Sequence, residues 1–127
     1  MENNALNSQV GGSHYKDMLL QPIELIVALR CSFIQGCIIK YISRYKVKNG
    51  AEDIKKCIHY AQLAIQLGDK RKCNDKTLSM SLNRYILKNK LTLIQRKIIT
   101  QAVYNNYVQV IQYCKDLIQI EYPNCDC

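Results

Sequence analysis

The chain has 127 residues, 48% of them hydrophobic, which is enough for one domain of ordinary size to bury a core without disulfides or metal. No run approaches the ~18 apolar residues of a membrane span, and the opening residues 1–7 lack the basic and apolar regions of a secretory signal, so spanning and secretion are not expected. The formal charge of +8 is uneven, net +2 over residues 1–69 and net +6 over 70–127, which favours an anionic partner, nucleotide phosphate or nucleic acid. Seven cysteines, an odd number and several at apolar positions, suit reduced thiols in a cytoplasmic protein. Nine Tyr stand against one Phe and no Trp, so ring stacking falls to tyrosine.

Residues 1–13 are polar, end in Gly11-Gly12 and read as a flexible lead-in. His14-Tyr15-Lys16 follows as a loop or extended piece. Gln21-Pro22-Ile23-Glu24 opens a first helix to about Leu29, with proline at a tolerated position and a carboxylate in the first turn. Ser32-Phe33-Ile34-Gln35 has the form of a capping box and starts a second helix reaching about Tyr45. There Ile34, Ile38, Tyr41 and Tyr45 share one stripe, and Gly36, Lys40 and Arg44 form a cationic ridge on another. Gly36 inside a helix costs roughly 1 kcal/mol relative to Ala, so close approach of a ligand or a neighbouring helix is expected there.

Asn49-Gly50-Ala51-Glu52 can cap a third helix, with Ile54, Cys57, Ile58, Ala61 and Ile65 buried and Asp53, Lys56 and Tyr60 on a different face. Residues 68–76 form a charged linker with a solvated basic run, the best boundary between a motif-bearing half (14–67) and an accessory half (77–122). In that second half Leu78, Leu82, Tyr85 and Ile86 give helix four. The capping pattern Thr92-Leu93-Ile94-Gln95 starts helix five, and Tyr107, Ile111, Cys114 and Ile118 line helix six. Residues 123–127 read as a tail, and no repeat at a solenoid period is evident. The fold class is all-α, a single-domain bundle of about six short helices, whose second half completes the bundle or a homo-oligomer interface.

His14-Tyr15-Lys16, Gln21-Pro22-Ile23-Glu24, Ile39-Lys40-Tyr41 with Arg44, Asn49-Gly50, Asp53, Lys55-Lys56 and His59-Tyr60 occur in an order that resembles a family of small phage proteins. This SaV-like family includes the small nucleotide kinase of the T-odd coliphages, and the resemblance spans residues 10–67. It implies a ligand site at the matching positions: His14, Tyr15, Lys16, Gln21, Gly36, Lys40, Tyr41, Arg44, Asp53, Lys56 and Tyr60. It also implies a phage-infected host cell as the setting. The sequence departs from the family pattern at Cys37, where Asn is usual after Gly36, and at Cys57, where Ala is usual.

Independently of the resemblance, Lys16, Lys40, Arg44 and Lys56 could converge on phosphate, and Tyr15, Tyr41 or Tyr60 could stack on a base. His14 could donate to phosphate or act as acid or base. No Gly-x-x-x-x-Gly-Lys-Ser/Thr and no Gly-x-Gly-x-x-Gly occurs, so the standard phosphate cradles are missing. Asp53 with Glu24 or Glu52 could hold magnesium, although acids at helical spacing more commonly form surface ion pairs. A zinc site from Cys73, Cys114, Cys125 and Cys127 lacks paired Cys-x-x-Cys spacing. The leading expectation is a protein that holds a phosphorylated nucleotide, sequestering it without turnover, with no cofactor assigned. The alternatives are a kinase acting on deoxynucleoside monophosphates with magnesium and ATP, and a basic nucleic-acid or protein-interaction module.

Overall fold

Capping residues set the helix starts at Pro22, Phe33 and Leu93. The computed structural model describes residues 4–12, 18–73 and 75–125. Six α-helices follow in order: α1 (Pro22–Leu29), α2 (Phe33–Arg44), α3 (Ala51–Leu67), α4 (Asp75–Lys88), α5 (Leu93–Val103) and α6 (Tyr107–Glu121). Short 3-10 turns occupy Ala5–Asn7 and Tyr45–Val47, and no strand occurs among the described residues. The Gln21 N–H donates to Glu24 Oε2 at 2.7 Å to open α1, and Arg30, left-handed at φ 56°, ends it. Ser32 and Gln35 close the reciprocal box that opens α2, and Thr92 and Gln95 do the same for α5. None of the helices is long and apolar enough to cross a membrane.

The two halves share one core. α1 packs on α4, α2 on α5, and α3 on α6 as well as on α2, so Ile38, Ile42, Ile54, Ile98, Val110 and Leu117 are buried together. The linker after Gly68 is stitched down despite its exposed Lys70, Arg71 and Lys72. Asp69 Oδ2 accepts from the Ser32 hydroxyl at 2.5 Å and the Tyr107 hydroxyl at 3.3 Å. The Arg71 carbonyl accepts from Gln35 at 3.0 Å and Asn105 at 2.9 Å, and the buried Cys73 sulfur lies 3.8 Å from that of Cys31.

A repeat absent from the sequence reading emerges here, longer than a solenoid unit. Arg30, Ser32, Ile34, Gln35, Ile38 and Ile39 recur sixty positions on as Lys90, Thr92, Ile94, Gln95, Ile98 and Ile99. Arg30 and Lys90 are both left-handed, at φ 56° and 53°. The N–H groups of Cys31 and Leu91 both reach back to isoleucine carbonyls, those of Ile26 and Ile86, at 3.0 Å. The contacts between the halves are reciprocal: Gln35 Nε2 donates to the Ala102 carbonyl at 3.2 Å, and Gln95 Nε2 to the Ile42 carbonyl at 2.9 Å. Such exchange of equivalent partners is the mark of a two-fold relation, here within one chain.

Two expectations about α3 are corrected. Ile65 is exposed and Ala64 is buried, because the last turn of α3 runs past its partners and leaves Ile65, Gln66 and Leu67 in solvent. The residue before the helix is Gly50, not Asn49, at φ 55° and ψ −127°, a conformation open to glycine alone. A Cβ at Gly50 would also meet the Tyr122 hydroxyl oxygen at 3.2 Å. Gly50→Ala is therefore expected to cost about 1–3 kcal/mol, read as a lowered midpoint in urea unfolding; an unchanged midpoint would refute this account of the turn.

Candidate functional site

Tyr41 sits one turn before the end of α2, and its half-buried ring gathers three cations. Arg44 Cζ lies 4.6 Å from the ring centroid, Lys56 Nζ 4.9 Å and Lys40 Nζ 5.3 Å. The Tyr60 ring from α3 lies nearly parallel to it, centroids 6.0 Å apart, and the exposed Phe33 ring meets Tyr60 edge-on at 6.2 Å. Phe33, Cys37 and Tyr41 stand four residues apart, so one face of α2 carries an aromatic strip flanked by lysine. The Cys37 thiol meets the Tyr60 hydroxyl, and burial pushes it upward, so it is protonated near neutral pH.

The cationic ridge expected along α2 is corrected in one respect: Arg44 is not a free cation. It is buried, and Asp53, fully buried on the first turn of α3, receives its Nε at 3.1 Å and its Nη2 at 3.2 Å. The Asn49 N–H reaches Asp53 Oδ2 at 3.4 Å and Lys56 Nζ reaches Oδ1 at 3.4 Å. Burial by itself would raise the Asp53 carboxyl, but Arg44, the Asn49 N–H and Lys56 together outweigh it and hold the carboxyl below its usual range. Among the described residues the cluster pairs three cations with this one carboxylate, and the third-exposed Lys56 and half-buried Lys40 face outward.

The sequence-derived site residues therefore divide. Lys40, Tyr41, Arg44, Asp53, Lys56 and Tyr60 come together. Gln21 does not join them: it caps α1 and its side-chain amide donates to the Leu6 carbonyl. Gly36 is buried against α1, where an added Cβ would meet Ile26 Cγ2 at 3.3 Å, so the neighbouring helix explains it. His14, Tyr15 and Lys16 lie outside the described residues. Phe33 was missed, although its i, i+8 spacing to Tyr41 was visible. In the second repeat the counterparts of Lys40, Tyr41 and Arg44 are Thr100, Gln101 and Tyr104, so the cluster occurs once.

The residues present do not fit a magnesium site. Both Asp53 oxygens are engaged, Glu24 caps α1, Glu52 is exposed, and no three His, Cys, Asp or Glu side chains among the described residues come together to hold a metal. Residues 10–62 match the model of a family described as "Protein of unknown function (DUF3310)". The matched stretch contains every candidate residue from His14 to Tyr60. No curated protein and no solved structure matches the chain.

Proposed function

We propose that the protein binds a phosphorylated nucleotide on the strip formed by Tyr41, Tyr60 and Phe33, with Lys40 and Lys56 on the phosphate. The observation that carries this reading is the gathering of three cations around one tyrosine against a single buried carboxylate, beside rings with open area for stacking. The resemblance to the SaV-like phage family supports a nucleotide over other organic anions. With no phosphate-cradle loop in the sequence and, among the described residues, no free carboxylate for magnesium in the cluster, holding the nucleotide is favoured over turning it over. Sequestration of a nucleotide during phage infection is the role that follows.

The test is direct. Pure protein is incubated with magnesium, ATP and a nucleotide mixture, and the free and protein-held fractions are separated and identified by mass. One species held stoichiometrically in an unchanged mixture supports the binder; diphosphates accumulating with time would establish the kinase instead. Binding only to DNA or RNA, falling steeply with salt, would establish a nucleic-acid module. Lys40→Ala with Lys56→Ala removes two charge-assisted contacts of about 1.5–3 kcal/mol each, so affinity is expected to drop at least about a hundredfold with the fold retained.

A further inference from the structure

Past Arg44 the surface opens into a cleft of ≈ 570 Å³, within the size range of small-ligand sites. Its apolar lining comes from Met18, Leu19, Val47 and Leu91, and its rim carries Lys46 from the turn after α2, Lys88 from the end of α4 and Lys90 from the turn that follows it. Among the described residues no carboxylate lines it and none of the three exposed lysines has an acidic partner. Arg44 belongs both to this lining and to the ring of cations around Tyr41, so one guanidinium borders both sites.

We propose that this cleft takes the phosphate chain of the nucleotide held at Tyr41, and that the ligand is therefore a nucleoside di- or triphosphate. This rests on reading the Tyr41 cluster as a nucleotide site. The neutral polar side chains of the cleft are already engaged: the Ser43 hydroxyl accepts from the Tyr85 hydroxyl at 2.7 Å. Asn89 exchanges hydrogen bonds with the Leu20 backbone at 3.2 and 2.7 Å, and Gln95 is held by the Thr92 N–H at 2.8 Å and the Ile42 carbonyl at 2.9 Å. What remains to donate is ammonium. A site of this kind reads charge rather than the pattern of a base edge or a sugar, which matches a polyphosphate and not a second nucleoside. The arrangement also gives the basic second half of the chain a share in the ligand: two of the three rim lysines come from it.

The experiment compares the mono-, di- and triphosphate of the tightest-binding base by calorimetry, in chelator so that nothing turns over. Affinity is expected to climb at least about tenfold from mono- to triphosphate. Lys88→Ala with Lys90→Ala should flatten that climb and leave the monophosphate affinity unchanged. Lys46→Ala, on a different element, should flatten it in part, so the result does not hang on one helix end. Equal affinity for all three, or a climb that survives the variants, would overturn the cleft assignment while leaving the Tyr41 site standing. A short oligonucleotide that outcompetes every mononucleotide would overturn it too. Failure of every nucleotide to bind would overturn the Tyr41 reading and the cleft with it.

Discussion

Asp53→Ala is expected to cost about 3–5 kcal/mol and to leave little folded protein if the total stability lies in the ordinary range. The carboxylate is fully buried, and its removal takes the facing charge and two hydrogen bonds from Arg44, itself only 7% exposed, in a desolvated place. Asn49 and Lys56 lose their acceptor in the same step. Arg44→Ala should also be damaging, because it leaves the buried acid with only the longer contacts to the Asn49 N–H and Lys56, so binding is better tested through Lys40 and Lys56. The pair also sets an acid limb. Because the Asp53 carboxyl is held below its unfolded value, its contribution is complete above about pH 4 and is lost as pH falls through the lower folded value. Urea unfolding between pH 2 and 7 should show the wild type weakening below about pH 4 and Asp53→Asn lacking that part of the slope. Equal slopes would mean that the pair carries no net linkage.

Gln35→Leu comes next, at about 3 kcal/mol or more, although leucine nearly matches glutamine in volume. The side chain is fully buried and serves three parts of the fold at once. Its Oε1 accepts from the Ser32 N–H at 2.8 Å, and its Nε2 faces the carbonyls of Arg71 at 3.0 Å and Ala102 at 3.2 Å. Each buried hydrogen bond lost costs about 1–3 kcal/mol, and leucine removes one from the cap, one from the linker and one from the end of α5 together, although Asn105 still bonds the Arg71 and Ala102 carbonyls. Gln95→Leu should cost less, about 2 kcal/mol, since Gln95 ties only its own cap and the Ile42 carbonyl. Two denaturation curves decide the matter, and equal losses would show that the linker contact contributes nothing.

The residues that announced the fold act locally. Pro22, Ser32 with Gln35, and Thr92 with Gln95 mark helix starts within one turn, so α1, α2 and α5 were legible from neighbouring residues alone. What escaped the sequence depends on partners far along the chain. Arg44 looked like one step of a cationic ridge because helical periodicity says nothing of Asp53, nine positions on and across a turn. Gln35 looked like a cap residue because its second task, bonding the far end of α5, involves residue 102. The repeat was hidden because identity between the halves gathers in a few isoleucines and one glutamine around α2 and α5, while the functional positions differ. Lys40 and Tyr41 were visible because they lie on one helix face; the lysines at 46, 88 and 90 meet only once the two halves are packed.

Reciprocal packing of the two halves also changes what governs assembly. A symmetric dimer gains its interface only above its dissociation constant, so its stability rises with protein concentration. Here the equivalent contacts between Gln35 and α5 and between Gln95 and α2 close within one polypeptide, and a linker of a few residues sets their effective concentration. Melting of this pairing should therefore be independent of dilution, and a single molecule, newly made and alone, carries both sides of its own interface.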